Sequence, residues 1–145
     1  MRLAVCVFCG SRPGDNPAYV QSARDLGRAL GAAGWQLVYG GGDVGLMGII
    51  ADAALQAGAE VVGIIPQRLL DREVGKREVT ELVVTQTMYE RKQRMVERSD
   101  AFVVLPGGLG TLDELLEVIT LRQLGYHDSP IVIVDVDGNW RPCIE

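Results

Sequence analysis

The strongest chemical signals in this sequence lie in three glycine-containing segments, residues 9–12 (CGSR), 40–45 (GGGDVG) and 106–111 (PGGLGT). Each segment follows a short apolar run and precedes a stretch with helical periodicity. Glycine lets the backbone approach a ligand closely, and the free N–H groups at the start of a helix attract phosphate. The pattern therefore predicts a phosphorylated ligand.

The 106–111 segment is the most specific of the three, because half of its residues are glycine. Thr111 can either cap the following helix or bind a phosphate oxygen directly. We expect Glu114 in the first turn of that helix, where the helix dipole favours its ionised form. The alternative interpretation is a capped helix that carries ordinary acidic residues in its first turn.

The 40–45 segment has the glycine spacing of a dinucleotide fingerprint, at Gly40, Gly42 and Gly45. NAD is nonetheless not expected, because the segment follows the second predicted strand and Pro66 stands where the acidic residue of that fingerprint belongs. A tight strand-to-helix turn, which needs glycine only for close packing, is the alternative interpretation of this segment.

A basic residue on an apolar helix face is the second kind of signal. Met88, Arg91 and Met95 share one face of a predicted helix, where an unpaired charge is costly. We therefore expect an anionic partner for Arg91, either a carboxylate in a structural ion pair or a ligand phosphate. Lys92 could share that pocket or be a solvated surface lysine.

Composition limits the classes of function. The 145 residues contain 14 Lys and Arg against 19 Asp and Glu, a net charge of −5, which disfavours nucleic-acid and anionic-membrane partners. No apolar run reaches the ~18 residues of a membrane helix. The spacing of Cys6, Cys9 and Cys143 does not match a zinc site. Cys6 and Cys9 are expected to be structural residues, with a redox pair as the alternative interpretation. We expect a cytoplasmic protein with reduced thiols. A single histidine, His127, disfavours hydrolysis by a catalytic triad.

Apolar runs alternate with amphipathic segments along the chain. Strands are predicted at residues 3–8, 35–39, 61–65, 82–84, 101–105 and 131–136, and the main helices at 17–30, 46–56, 87–98 and 111–123. This order predicts an α/β fold, a Rossmann-like open, mostly parallel sheet with helices on both faces, as one domain over residues 1–145. The three glycine segments should then meet at one sheet edge. Residues 67–81 are predicted to be a surface excursion, and a C-terminal helix is expected to be missing.

Residues 106–114 (PGGLGTLDE) match the PGGxGTxxE motif of the LOG ("lonely guy") family. The chain also resembles this family at 7–11 (VFCGS), 39–42 (YGGG), 45–48 (GLMG), Met88 with Arg91, Lys92 and Met95, and 123–127 (QLGYH). These stretches stand in family order over nearly the whole chain. LOG proteins are cytokinin riboside 5′-monophosphate phosphoribohydrolases, long described as lysine decarboxylases.

The resemblance implies a homodimer that needs no cofactor. It also implies hydrolysis of the N-glycosidic bond of an adenine-type nucleoside 5′-monophosphate, with Arg91 and Glu114 as the catalytic residues. The glycine segments and the basic helix contribute the candidate substrate contacts Gly10, Ser11, Gly41, Gly42 and Met88. The resemblance adds Glu73, Lys92, Gly107, Gly108, Leu109, Gly110, Thr111, Leu112, Asp113 and Thr120.

Cleavage of a ribosyl C–N bond builds positive charge on the ribose, which a nearby carboxylate stabilises. Glu114 could hold the ribose hydroxyls, stabilise the cation or orient the attacking water, and Arg91 could assist the departing base or clamp an anionic group. One alternative is a non-catalytic carrier of a nucleotide or phosphorylated cofactor. Another is a pyridoxal phosphate-dependent decarboxylase, which needs a buried Schiff-base lysine, and Lys76 and Lys92 are the only lysines.

Overall fold

The computed structural model describes residues 2–72 and 75–144, which contain a six-stranded sheet. The strands are β1 (Ala4–Phe8), β2 (Gln36–Tyr39), β3 (Val61–Pro66), β4 (Glu81–Thr85), β5 (Ala101–Val104) and β6 (Ile131–Ile133). Their order across the sheet is β4-β3-β2-β1-β5-β6, and every neighbouring pair is parallel. The predicted α/β fold class is therefore confirmed.

Helices connect the strands. They are α1 (Pro17–Ala33), α2 (Gly45–Gln56), α3 (Gln67–Asp71), α4 (Met88–Glu97), α5 (Leu109–Gln123) and α6 (Arg141–Ile144). Helix α1 begins as predicted, since the Asn16 side chain accepts a hydrogen bond from Ala18 N and Pro17 occupies the first turn. No helix within the described ranges is both long and apolar enough to cross a bilayer.

Two apolar layers cover the two faces of the sheet. On one face Val5 and Val7 of β1 pack with buried residues of α1 and α2, such as Ile50. On the other face the alternate β1 residues Cys6 and Phe8 pack with buried residues of α4 and α5. The sheet is apolar on both faces because parallel strands need helices on each side.

The chain changes direction across the sheet next to β1. Strands β2, β3 and β4 are added on one side of β1, and β5 and β6 on the other. The segments that leave β1 and β5 therefore diverge at a topological switch point, where open α/β sheets bind ligands. They remain in contact, since Gly10 N donates a hydrogen bond to Pro106 O at 3.1 Å.

Helix α5 begins earlier than predicted. Gly108 is its N-cap residue and no side chain caps it, so of the two alternatives for Thr111 the capping role is wrong. Thr111 lies in the first turn with a buried side chain, and Glu114 lies in the second turn instead of the first.

The segment 67–81 is not only a surface excursion. It contains the short helix α3, and within it Lys76 and Val79 are buried. The last strand is also shorter than predicted, and one helical turn, α6, follows it where no helix was expected. Trp140, just before α6, is buried against the α4 and α5 face of the sheet.

Candidate active site

A cavity of about 610 Å3 opens beside the carboxyl ends of β1 and β5, and we call it the switch-point cavity. Residues 9–12 and 106–111 form two of its sides. Leu46 and Met47, which follow the 40–45 segment, form another. Residues 9–12 and 106–111 therefore converge at the cavity as predicted, whereas residues 40–45 do not line it, although Gly45 packs against Ser11. The volume lies within the range of small-molecule sites, roughly 300–1,000 Å3.

Arg91 lies on α4 at the bottom of this cavity and is only 6% exposed. Its Nε donates a hydrogen bond to Ile64 O at 2.9 Å, and its Nη2 donates to Gly40 O. Of the two expected partners, the carboxylate of a structural ion pair is not found among the described residues, because both of these acceptors are main-chain carbonyls. The carbonyls orient the guanidinium without neutralising it, so its charge is directed at the cavity.

Gly40 is required for this arrangement of Arg91. A Cβ atom at position 40 would overlap Arg91 Nη2. The first glycine of the 40–45 segment therefore makes room for the guanidinium that its own carbonyl holds. Arginine suits the position because its planar group donates to two carbonyls and still has N–H groups left for a ligand.

Glu114 lines the same cavity as Arg91. Burial raises the pKa of its carboxyl group from 4.5 to about 7, against the opposing effect of the Arg91 charge. The expectation that the helix dipole keeps Glu114 ionised is therefore wrong, because Glu114 lies beyond the first turn and its burial dominates. The structure thus places in the cavity one buried cation and one carboxyl group that titrates near neutrality.

Lys92 is in the cavity wall and is also paired. Its Nζ lies 2.6 Å from a Glu117 carboxylate oxygen and 3.2 Å from one of Asp113. It also lies 5.5 Å from the centre of the Tyr89 ring. The hydrogen bond to Glu117 contributes most to raising the pKa of Lys92, so the ammonium stays charged. The alternative of a freely solvated lysine does not hold.

The start of α5 forms the polar wall of the cavity. Leu112 N already donates to Gly108 O, whereas the N–H groups of residues 109–111 precede the first helical hydrogen bond. Unpaired N–H groups at a helix start, with the positive end of the helix dipole, form an anion site. Gly107 fits closely here, since an added Cβ would overlap Thr111 Oγ1 and lie 3.0 Å from Gly10 N.

We expect Gly107→Ala to destabilise the protein by about 1–3 kcal/mol, because the buried Thr111 side chain cannot move away from the new methyl group. Gly110→Ala is the matched control, because no atom lies within 4 Å of its added Cβ. As a helix residue, Gly110 should gain up to about 1 kcal/mol from this change. Thermal unfolding of both variants measures the difference, and equal melting temperatures would contradict the close fit at Gly107.

Most of the predicted site residues are brought together in this cavity. Those that line it are Gly10, Ser11, Met88, Arg91, Lys92, Gly107, Gly108, Leu109, Gly110, Thr111, Asp113 and Glu114. Glu73 lies outside the described residues. Those that do not line it are Gly41, Gly42, Leu112 and Thr120.

The four residues outside the cavity have structural contacts instead. Gly41 has φ +78 and packs on β3, and Gly42 forms a bridge with Gly75, as the tight-turn interpretation predicts. Leu112 packs against the apolar layer of α4 and α5. Thr120 is exposed, and its Oγ1 donates a hydrogen bond to Leu116 O at 2.7 Å.

Eight further cavity residues were not among the predicted contacts, namely Cys9, Arg12, Gly14, Tyr19, Leu46, Met47, Pro106 and Asn139. Arg12 follows Ser11 in a segment already singled out, so its position was a usable signal. Asn139 follows β6 at the same sheet edge, and the preceding Asp-Gly turn could have indicated it. Tyr19 fits the apolar face of α1, and nothing in the sequence separates it from a core residue.

His127 and the cysteines do not contribute reactive groups to the cavity. The His127 Nε2 lies 2.9 Å from Val118 O, and its Nδ1 accepts a hydrogen bond from Ser129 N, which is a structural role. Burial raises the pKa of the Cys6 and Cys9 thiols, which opposes a redox role. Within residues 2–72 and 75–144, no cluster of three or more His, Cys, Asp or Glu side chains could hold a metal ion.

The fold and the cavity together define a Rossmann-like α/β protein with a pocket at its switch point. The family model described as "Possible lysine decarboxylase" matches residues 47–145, and the chain belongs to this family. The resemblance to the LOG proteins is confirmed by relatives from two plants. No lysine decarboxylase chemistry follows from the description of the family, because function is carried by the site.

The chain is 47% identical over 140 residues to "Probable cytokinin riboside 5′-monophosphate phosphoribohydrolase LOGL1" of Oryza sativa subsp. japonica. It is 49% identical over 140 residues to "Cytokinin riboside 5′-monophosphate phosphoribohydrolase LOG3" of Arabidopsis thaliana. Each alignment covers 97% of this chain but only 63% and 65% of the two relatives. The chain thus spans less than two thirds of their length.

Two solved structures show the same fold. One is the X-ray structure of the structural-genomics target TM1055, with a TM-score of 0.79 at 26% identity. The match covers 99% of this chain and 80% of the TM1055 chain. The other is the Moco carrier protein from Chlamydomonas reinhardtii, with a TM-score of 0.76 at 21% identity. The match covers 92% of this chain and 76% of the carrier-protein chain. The second likeness concerns the fold alone.

Proposed function

We propose that this protein hydrolyses the N-glycosidic bond of adenosine 5′-monophosphate or an N6-substituted analogue, giving the free base (adenine or a cytokinin) and ribose 5-phosphate. The observation that carries this proposal is that Arg91, Glu114 and the free N–H groups at the start of α5 share one cavity. The names of the relatives from rice and Arabidopsis support the same reaction.

The phosphate of the substrate would bind at the start of α5. The N–H groups of residues 109–111 can donate to its oxygens, and the helix dipole favours its charge. Lys92 would add little net charge there, because Asp113 and Glu117 already neutralise it. The phosphate site therefore depends mainly on backbone donors, which explains the glycine-rich sequence.

In the proposed reaction, water attacks C1′ of the ribose while the bond from C1′ to the base nitrogen breaks. The electron pair of that bond leaves with the base. The Glu114 carboxylate stabilises the positive charge on the ribose and accepts the proton lost by the water. Arg91 stabilises the negative charge on the departing base, which takes up a proton from solvent. Water is therefore the only co-reactant.

A decarboxylase reaction is not proposed, because neither lysine resembles a Schiff-base lysine. Such a lysine needs a lowered pKa and a free amine. Lys76 Nζ lies 2.8 Å from Asp43 and 2.8 Å from Asp52, and Lys92 is held by Asp113 and Glu117. Hydrogen bonds to these carboxylates raise the pKa of both lysines despite their burial.

Incubation with AMP, N6-isopentenyl-AMP and adenosine tests the proposal, with the products separated by chromatography. We expect free base and ribose 5-phosphate in equal amounts from at least one nucleotide. Adenosine should react at least about a hundredfold more slowly, because it lacks the phosphate that positions it. Intact nucleotides together with measurable binding would instead support the alternative of a non-catalytic carrier.

The rate should depend on pH through Glu114. Because the proposed reaction uses the ionised carboxylate, and the pKa of Glu114 is about 7, kcat/KM for AMP should rise tenfold per pH unit below about pH 7 and level off above it. Initial rates between about pH 5 and pH 9 measure the profile. A rate that falls as the pH rises through 7 would mean that Glu114 acts as an acid, contrary to the proposal.

We also propose a cytoplasmic homodimer, as the resemblance to the LOG family implies. Large apolar side chains on and after α5 support an interface, since Leu116 is 55% exposed, Leu124 66% and Tyr126 76%. The free thiols, one of them exposed, suit a reducing compartment. Sedimentation at twice the mass of one chain supports the dimer, and sedimentation at one chain mass contradicts it.

A further inference from the structure

Lys76 is a buried cation that the proposed reaction does not use. The residue is 5% exposed, although it lies in a charged stretch of the sequence. Its Nζ lies 2.8 Å from Asp43 Oδ1, 2.8 Å from Asp52 Oδ1 and 4.0 Å from Glu78. Asp43 belongs to the 40–45 glycine segment and Asp52 to α2. One ammonium group therefore joins three separate parts of the chain.

The backbone of Lys76 holds the same glycine segment. Lys76 N donates a hydrogen bond to Gly41 O at 2.9 Å, and Gly75 pairs with Gly42. Tyr39 OH also donates to Gly42 O, at 2.9 Å. The segment has few side chains of its own to pack, so these contacts determine where its carbonyl groups lie.

The first carbonyl of that segment is the one that accepts from Arg91 Nη2. A displacement of the segment therefore displaces the guanidinium. We propose that Lys76 is a positioning residue for the reaction at the switch-point cavity, which fixes the Gly40 carbonyl through Asp43 and thereby fixes Arg91. This inference rests on the proposed function for its effect on rate, but its structural part does not.

The charge of Lys76 is needed as well as its size. Without the ammonium, Asp43 and Asp52 would approach the same point as two like charges, and their repulsion would move the glycine segment away from α2. Burial alone would lower the pKa of Lys76, but hydrogen bonds to Asp43 and Asp52 outweigh burial and raise it. The ammonium is therefore present throughout the neutral pH range.

Lys76→Met tests the inference, because it keeps an unbranched side chain that is only one atom shorter and removes the charge. We expect kcat for AMP to fall by at least about tenfold, with KM changed by less than about threefold. Arg98→Met is the matched control. It removes an ion pair to Glu81, at 3.0 Å, that joins the C-cap residue of α4 to β4 without touching the glycine segment. Its kcat should stay within about twofold of wild type.

A second measurement follows Arg91 itself. The N–H signal of Arg91 Nε, assigned by its loss in Arg91→Lys, should exchange slowly with solvent in the wild type because it donates to Ile64 O. In Lys76→Met it should exchange at least about tenfold faster, and in Arg98→Met it should not change. This measurement needs no turnover, so it tests Lys76 even if the wild type proves not to hydrolyse AMP.

Two results would overturn the inference. One is an unchanged exchange rate of the Arg91 Nε N–H in Lys76→Met, and the other is a kcat of Lys76→Met within about twofold of wild type. If Lys76→Met does not fold, Lys76→Arg replaces it, because arginine keeps the charge but shifts it within the buried site. We then expect a smaller loss of kcat and a smaller increase in exchange, and the same two null results contradict the proposal.

Discussion

We expect Glu114→Gln to lower kcat for AMP hydrolysis at least about a thousandfold, since glutamine can neither accept the proton of the attacking water nor balance the charge on the ribose. The side chain keeps its size, so the cavity should keep its shape. Turnover is measured by chromatography of the released base. A variant with more than about a tenth of the wild-type kcat would show that Glu114 takes no part in the chemical step.

The same substitution should make the protein more stable at alkaline pH. The pKa of Glu114 is raised from 4.5 to about 7 in the folded protein. Between these values the folded protein holds a proton that the unfolded chain has released, so the free energy of unfolding falls as the pH rises. Above about pH 7 the loss amounts to as much as about 3 kcal/mol, which a side chain that does not titrate avoids.

Thermal unfolding of the wild type and E114Q at about pH 4 and about pH 8 measures this effect. The melting temperatures should be similar at the lower pH, with E114Q the more stable at the higher. Glu97→Gln is the control, because Glu97 is exposed on α4 and its side chain hydrogen-bonds only to Gln93 among the described residues. A less stable E114Q at the higher pH would contradict the raised pKa.

Arg91→Lys should lower kcat for AMP by at least about a hundredfold, although it keeps the positive charge. A lysine ammonium cannot donate to Ile64 O and Gly40 O in the same plane and still present further N–H groups to the base. Arg94→Lys is the matched control on the same helix, since Arg94 is exposed and pairs only with Glu90 among the described residues. Equal effects of the two substitutions would contradict the role of Arg91.

Arg91→Met should also change the pH dependence of the residual activity. The Arg91 charge lowers the pKa of Glu114 against the effect of burial. Its removal should therefore raise the pKa of Glu114 above about 7 and move the rise of the rate to higher pH. A pH–rate profile of the variant measures the shift, and an unchanged profile would show that the two groups do not interact.

The order of strands and helices was predictable because the apolar runs are long and glycines clearly mark where many of the elements end. Residues 4–8 and 61–66 are apolar throughout, as expected of strands that are covered on both faces. The convergence of residues 9–12 and 106–111 then follows from parallel pairing alone. Local pattern and topology agree for this part of the fold, which is why a single sequence was sufficient.

The electrostatics of the site were not predictable in the same way. The partners of Arg91 are main-chain carbonyls, which carry no sequence signal. The pKa of Glu114 depends on burial by residues distant in the chain, and Lys76 has the local pattern of a surface residue until its carboxylate partners are known. Each of these properties depends on tertiary neighbours.

A crystal structure of E114Q with bound AMP tests the central claim most directly, namely that the glycosidic bond lies between positions 91 and 114. We predict phosphate oxygens about 3 Å from the N–H groups of residues 109–111, and C1′ between the Arg91 guanidinium and the side chain at position 114. AMP bound outside the switch-point cavity, or bound in it with C1′ directed away from both positions, would contradict the proposed mechanism.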